Sequence, residues 1–156
     1  MENMKESLVK HLRGGEAFMP VDKMIEKIPF LELGKRPADL PYSFFEIFSH
    51  IRFTQKDILD YCTQTDYMAP EWPKDYWPEK SSPDDENTWK ELVDAYFKER
   101  DELGELILSE EKDLMDTVPS GGDHTIFREI LLVIEHSAYH SGQLLILLRH
   151  LGLHSS

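Results

Sequence analysis

The sequence predicts an all-α protein built as a four-helix bundle, and three observations carry that expectation. Apolar residues recur at the three- and four-residue intervals that line one face of a helix, in several separate segments. Residues that favour helix starts stand at the head of those segments. No short run of valine and isoleucine alternates with polar residues between turns, so no strand pattern competes.

The first helical segment, residues 4–13, stops at Gly14-Gly15, and the pattern resumes over residues 17–28 before PFLELGKRPADLP interrupts it, so the first helix is expected to be split. Ser43 followed by Glu46 is a capping-box pair, each side chain accepting from the other residue's backbone N–H. Phe44, Ile47, Phe48, Ile51, Ile58 and Leu59 then extend a second helix over residues 43–61 or slightly beyond. EWPKDYWPEKSSPDDEN, dense in proline, tryptophan and charge, reads as a connection within one domain. Ser82, with Pro83 just inside and Asp84 and Asp85 in the first turn, opens a third helix, since acids favour the positive end of the helix dipole. Trp89, Leu92, Val93, Tyr96, Phe97, Leu103, Leu106 and Ile107 carry that helix to residue 108. After the loop VPSGGDH, residues 125–151 hold no proline and a single glycine, Gly142, and form the fourth helix. The connection of roughly twenty residues between the second and third helices is long enough for a crossover that lets those two run parallel.

At 156 residues the chain suits one domain with a real core and is too short for two ordinary ones, so residues 1–156 are expected to form a single domain. With 17 basic against 30 acidic residues, the net charge of -13 repels phosphate backbones and anionic lipid, which argues against nucleic-acid and membrane partners. Cys62 stands alone, so there is neither an internal disulfide nor a C-x-x-C thiol site, and a cytoplasmic protein is expected. The opening MENMKESLVKHLRGG lacks the roughly 7 to 15 apolar residues of a secretory signal. No segment approaches ~18 uninterrupted apolar residues, so no membrane span is expected either.

The chemistry concentrates in VIEHSAYHSGQLLILL, where His136 and His140 stand one helical turn apart among aliphatic residues. Helix positions four apart have Cβ atoms ~5 to 6 Å apart, so two imidazoles can share one ion at ~2.0 to 2.1 Å from each nitrogen. Their face also holds Leu132, Val133, Gln143, Leu144, Leu147 and Leu151, and is expected to point inward. Spacing alone leaves two readings: a pair of metal ligands, or core histidines bonded to carbonyls, tyrosines or acids. A third imidazole, His50, lies on a second-helix face with Ile47, Phe53, Thr54, Asp57 and Tyr61. Three histidines from two facing helices would leave an open coordination position on zinc, nickel or a similar divalent ion. The zinc-protease motif H-E-x-x-H does not apply, because Ser137 follows His136 where that motif has its glutamate base.

HTIFREILLVIEHSAYHSGQLLILLRHLGL, PYSFFEIFSHIRFTQKDILDYC, the WPKDYWP connection and HLRGGEAF together resemble the DinB-like superfamily over nearly the whole chain. The most specific parts are the H-x-x-x-H-x-G-Q element and the second-helix histidine. The resemblance implies a four-helix bundle of up-down-down-up type with a long connection between helices two and three. It also implies a metal triad on His50, His136 and His140. Many proteins that resemble this one have aspartate before the first histidine of the element; Glu135 here keeps the charge and lies off the ligand face. Some relatives are metal-dependent thiol transferases using bacillithiol, mycothiol or similar thiols, and others have no known reaction. Homodimers are common among them.

The functional expectation is a divalent metal ion, zinc or nickel, that lowers the pKa of a water or thiol for hydrolysis or thiol transfer on a small molecule, with a low-molecular-weight thiol as a second cofactor. The competing expectation is a non-catalytic, stress-related binding or oligomerisation module with a structural or vestigial metal site. No general base is assigned. Asp57 is a candidate base or anchor, with a solvated helix acid as its expected role, and Gln143 is expected either to reach water, substrate or a ligand, or to bond a neighbouring helix. Trp72, Tyr76, Trp77 and Tyr139 either line a pocket mouth or, as aromatics beside such a connection usually do, pack the bundle end. Cys62 is expected to be inert, and His11, His124, His150 and His154 to be solvent-exposed without a role.

Overall fold

The computed structural model describes residues 3–155, and their regular structure is helical. Five α-helices follow in order: α1 Met4–Arg13, α2 Val21–Ile25, α3 Phe44–Thr63, α4 Glu86–Leu108 and α5 Ile126–His150. Short 3-10 turns occur at Phe30–Glu32, Pro37–Asp39 and Lys74–Tyr76. Among the described residues the strand-like pairing is an isolated bridge between Thr117 and Thr125.

Local chemistry explains each boundary. Asn3 and Glu6 form a capping box at the start of α1, and Gly14, at φ +75°, takes the left-handed backbone that ends it. The helix expected over residues 17–28 contracts to α2, since Pro20 has no N–H to give and stands as its N-cap, while Pro29 disfavours helical backbone at the residue before it. Ser43 caps α3 as expected: its N–H donates to Glu46 Oε2 at 2.7 Å and its Oγ accepts from the Glu46 N–H at 3.2 Å. The third long helix begins at Glu86, later than the expected Ser82. Asp85 is the N-cap, its carboxylate accepting from the Thr88 N–H at 2.7 Å. The residues ahead of it are used in packing. A Cβ added to Gly34 would meet the Ser82 Cβ at 2.6 Å, and the Ser81 carbonyl accepts from the Ser43 hydroxyl at 2.5 Å.

α3 packs against both α4 and α5, and α1 packs against α4. Two apolar clusters result. One gathers Met24, Leu33, Phe44, Ile47, Phe48, Ile51, Leu144 and Leu147; the other gathers Leu12, Leu59, Leu103, Ile107, Ile126, Ile130 and Val133. Between them, α3 contributes His50, Thr54 and Gln55, and α5 contributes His140 and Ser141, all buried polar residues. The polar waist of the α3–α5 seam is therefore where the candidate ligands lie.

One expectation about α5 holds in part and another needs correction. By length and composition it is apolar enough to cross a membrane, with a mean hydropathy of 1.2 over its most apolar window, although no uninterrupted apolar run marks it. Helix-forming core segments pass the same test, and α5 buries Ile130, Val133, Leu144 and Leu147 against its neighbours. Leu132, expected to face inward, is 36 % exposed, because it falls at the edge of the apolar stripe.

The cap of α3 generates a prediction. Burial pushes the Glu46 carboxyl up, but the Arg36 guanidinium and the bonds from Ser43 outweigh it and hold the group below the usual carboxylate range. A depressed carboxylate contributes stability above its unfolded value of 4.5 that is lost as pH falls through the folded one. Urea unfolding should give Glu46→Gln a smaller loss of stability between pH 6 and pH 4 than the wild type. Ser43→Ala should lose about 1 kcal/mol at pH 7. An unchanged pH slope in Glu46→Gln would contradict this account of the cap.

Candidate metal centre

His50 lies about two turns into α3 beyond its capped end, and His136 and His140 stand one turn apart on α5, so two rigid helices present three rings to one seam. One ligating atom from each ring lies within 4.8 Å of the others. The rings meet edge to face, with centroids 4.9 Å apart for His50 and His136, 4.8 Å for His50 and His140, and 4.4 Å for His136 and His140. His50 Nε2 and His136 Nε2 are 3.0 Å apart.

The outer nitrogens settle which inner ones hold lone pairs. His50 Nδ1 is 2.9 Å from the Tyr76 carbonyl, which can only accept, so Nδ1 carries the proton and Nε2 faces the seam unprotonated. His140 Nδ1 donates in the same way to Gln143 Oε1 at 2.5 Å. Trp77 lies flat on His50, centroids 4.0 Å apart and planes within 4°, and Tyr139 packs edge-on to His140 at 4.8 Å.

Burial sets the charge state. His50 is 3 % and His140 6 % exposed, and His136 is half-buried. Loss of solvent pushes the His136 pKa down to about 3, helped by the other two rings. It also lowers His50, against the Tyr76 carbonyl bond, and His140, against the Gln143 bond. All three are therefore neutral near pH 7, the form that donates to a metal. Two imidazole nitrogens on one tetrahedral ion stand roughly 3.3 to 3.4 Å apart, so the 3.0 Å between His50 and His136 needs only a small opening. The donor set fits a divalent ion, and these three residues could hold one.

The other sequence candidates land differently. Asp57 is not a solvated helix acid: Oδ1 accepts from the Tyr67 hydroxyl at 2.6 Å and Oδ2 from the Tyr76 hydroxyl at 2.7 Å. Burial and that carboxylate raise both phenols, so they stay protonated donors. Gln143 bonds His140 within its own helix instead of reaching a neighbouring one. The connection's aromatics pack the site, not the bundle end: Trp77 stacks on His50, Tyr76 lies 6.5 Å from the same ring, and Trp72, 66 % exposed, lies at 6.4 Å. Tyr139 is likewise 66 % exposed beside His140. Glu135 is exposed, off the ligand face as expected, and so are His11, His124 and His150. His154, expected to be exposed, is half-buried near the end of the chain.

The sequence carries no signal for Tyr67, and for Tyr76 only that of a pocket aromatic, because a backbone carbonyl and a phenol reaching back from a connection leave no periodic pattern. Thr54, one turn beyond His50, is buried with no hydrogen-bond partner for its hydroxyl. A cavity of about 320 Å³ opens along the same α3–α5 groove, lined in part by Asp57, Ile58, Tyr61, Tyr67 and Leu132.

A sequence profile described as DinB superfamily matches residues 18–144, a span that contains all three histidines. Among curated proteins and among solved structures, none matches the chain.

Cys62 lies outside this chemistry. It is 1 % exposed, and burial, with the Glu129 carboxylate, pushes its thiol up to about 12. The native protein should therefore give no fast reaction with a thiol-disulfide colour reagent at pH 8, and one thiol per chain should appear on unfolding in guanidinium. Rapid colour in the native state would contradict the burial of this residue.

Proposed function

Because this chain belongs to the DinB superfamily, we propose that it is a divalent-metal enzyme whose ligands are His50, His136 and His140, acting on a small molecule as a hydrolase or a thiol-dependent S-transferase. One observation carries this reading: three neutral imidazoles converge, and two of them are oriented by acceptors on their outer nitrogens. That arrangement is what zinc or nickel takes from histidine.

When bound, the ion supplies Lewis acidity, which lowers the pKa of a water or a low-molecular-weight thiol. The chain itself does the positioning. The Tyr76 carbonyl and Gln143 Oε1 aim two rings, and the Trp77 ring shields one face of His50 from water. We read the helices as an up-down-down-up bundle with a crossover after α3. Antiparallel α3 and α5 are supported by His50 meeting His136 while Tyr61 meets His124. Parallel α3 and α4 are supported by Phe48 on Trp89 and Arg52 on Glu99, and antiparallel α1 and α4 by Lys5 on Ser109 and Arg13 near Asp101. The reading places the protein in the cytoplasm as a homodimer, with Leu131, Leu132 and Ile146 of α5 exposed for pairing.

A second reading, a non-catalytic binding module that keeps a metal site, is favoured by Asp57. Both its oxygens are already bonded to phenols, so it is not a free base.

Elemental analysis tests the metal. About one ion per chain is expected in the wild type, and almost none in His50→Ala and His136→Ala; equal content in all three would overturn the triad. Chelator-sensitive turnover with a panel of small thiols and an electrophilic acceptor, or with activated esters and amides, is expected of the enzyme. Metal without turnover would transfer support to the second reading.

A further inference from the structure

α3 holds Tyr76, in the connection to α4, by two hydrogen bonds. His50 donates Nδ1–H to its carbonyl at 2.9 Å, and Asp57, two helical turns further along α3, accepts from its phenol at 2.7 Å. The next residue, Trp77, lies flat on the His50 ring. An imidazole bound through Nε2 alone can still turn about its side-chain torsions, and the acceptor on Nδ1 removes that freedom and fixes the tautomer. That acceptor is a main-chain group in a 3-10 turn, Lys74–Tyr76, so its position depends on what holds the turn. The side chain of the same residue ties this turn back to α3, its hydroxyl on Asp57 and its ring edge-on to Phe53 at 5.0 Å.

We propose that Asp57 is a positioning residue of the metal centre: through the Tyr76 phenol it fixes the carbonyl that orients His50. This inference rests on the triad being a metal site, and it assigns the acid beside the histidines to orientation instead of proton transfer. Coupling between sites is reciprocal, so an ion on His50 also tightens the connection over the seam.

Tyr67 provides the control. It too donates its hydroxyl to Asp57, at 2.6 Å, but no hydrogen bond joins its backbone to a triad histidine. Tyr76→Phe and Tyr67→Phe therefore delete the same atom and the same type of bond to the same carboxylate. Zinc affinity, measured by competition with a chromophoric chelator, should fall about 10- to 100-fold in Tyr76→Phe and Asp57→Asn and stay at the wild-type value in Tyr67→Phe. In the metal-free protein, the His50 Nδ1–H resonance of a 15N-histidine sample should exchange faster with water in the first two variants and be unchanged in the third.

Equal loss of zinc affinity in both tyrosine variants would overturn the proposal, as would wild-type affinity and exchange in Asp57→Asn. If Asp57→Asn fails to fold, the two tyrosine variants carry the test alone. A wild-type protein that binds no zinc would refute the triad reading and this proposal's metal role, whereas zinc bound by the wild type with Tyr76→Phe unaffected would refute the positioning role alone.

Discussion

A buried imidazole has two ring nitrogens to satisfy, and three such rings in one helix seam constrain the rest of this molecule. His50 and His140 are almost fully buried and His136 half so, and desolvation keeps all three neutral. Each neutral ring needs an acceptor for its N–H and a donor or a metal for its lone pair. The apolar residues of α3 and α5 cannot supply these groups. They divide into one cluster around Phe48, Ile51 and Leu144 and another around Leu59, Ile130 and Val133, and the polar waist between them is served from elsewhere.

The service comes from two sources with different physics. Gln143 lies three residues beyond His140, so helix geometry alone brings its amide to the ring. His50 has no such neighbour, and its acceptor arrives from the α3–α4 connection. This gives the length and composition of that connection a purpose. It spans the end of the seam and places one carbonyl over His50, with Tyr76 bonded to Asp57 and Trp77 stacked on the ring. Ser81 bonds the hydroxyl that caps α3, so the far end of the connection is fastened to the helix that carries His50.

What could be read in advance follows the same division between local and distant causes. The start of α3 was legible because Ser43 bonds a backbone N–H only three residues on, and that of α5 because a proline-free apolar run follows the VPSGGDH loop. Residues 17–28 misled because their apolar spacing speaks for a helix while Pro20 forbids one across it. The start of α4 misled differently: Ser82 and Pro83 carry a helix-start signature, but Ser82 packs against Gly34 and Ser81 bonds the cap of α3. In the centre, the pairing of His136 with His140 was legible from spacing, and His50 from its place on an apolar face. The role of Asp57 was not. Its partners are two phenols from the connection, and no spacing on α3 announces them.

The short approach of His136 to His50 bears on what an ion would do for this chain. With the His50 proton held on Nδ1 by the Tyr76 carbonyl, the facing Nε2 atoms form a hydrogen bond when His136 carries its proton on Nε2. The metal-free seam is thus already satisfied at that pair, at a net contribution of about 1 kcal/mol. A closed structural zinc site of cysteine and histidine gains far more, roughly 10 to 16 kcal/mol in zinc-finger peptides at neutral pH, where the ion is also what folds the chain. Here the helices do not depend on it. Phe44, Phe48, Leu103, Ile107, Ile130 and Leu144 are fully buried on either side of the waist, and α3 is capped independently of the site. An ion at the seam would replace one weak hydrogen bond within a scaffold that is already assembled. Its binding energy would then not be needed to hold the fold together.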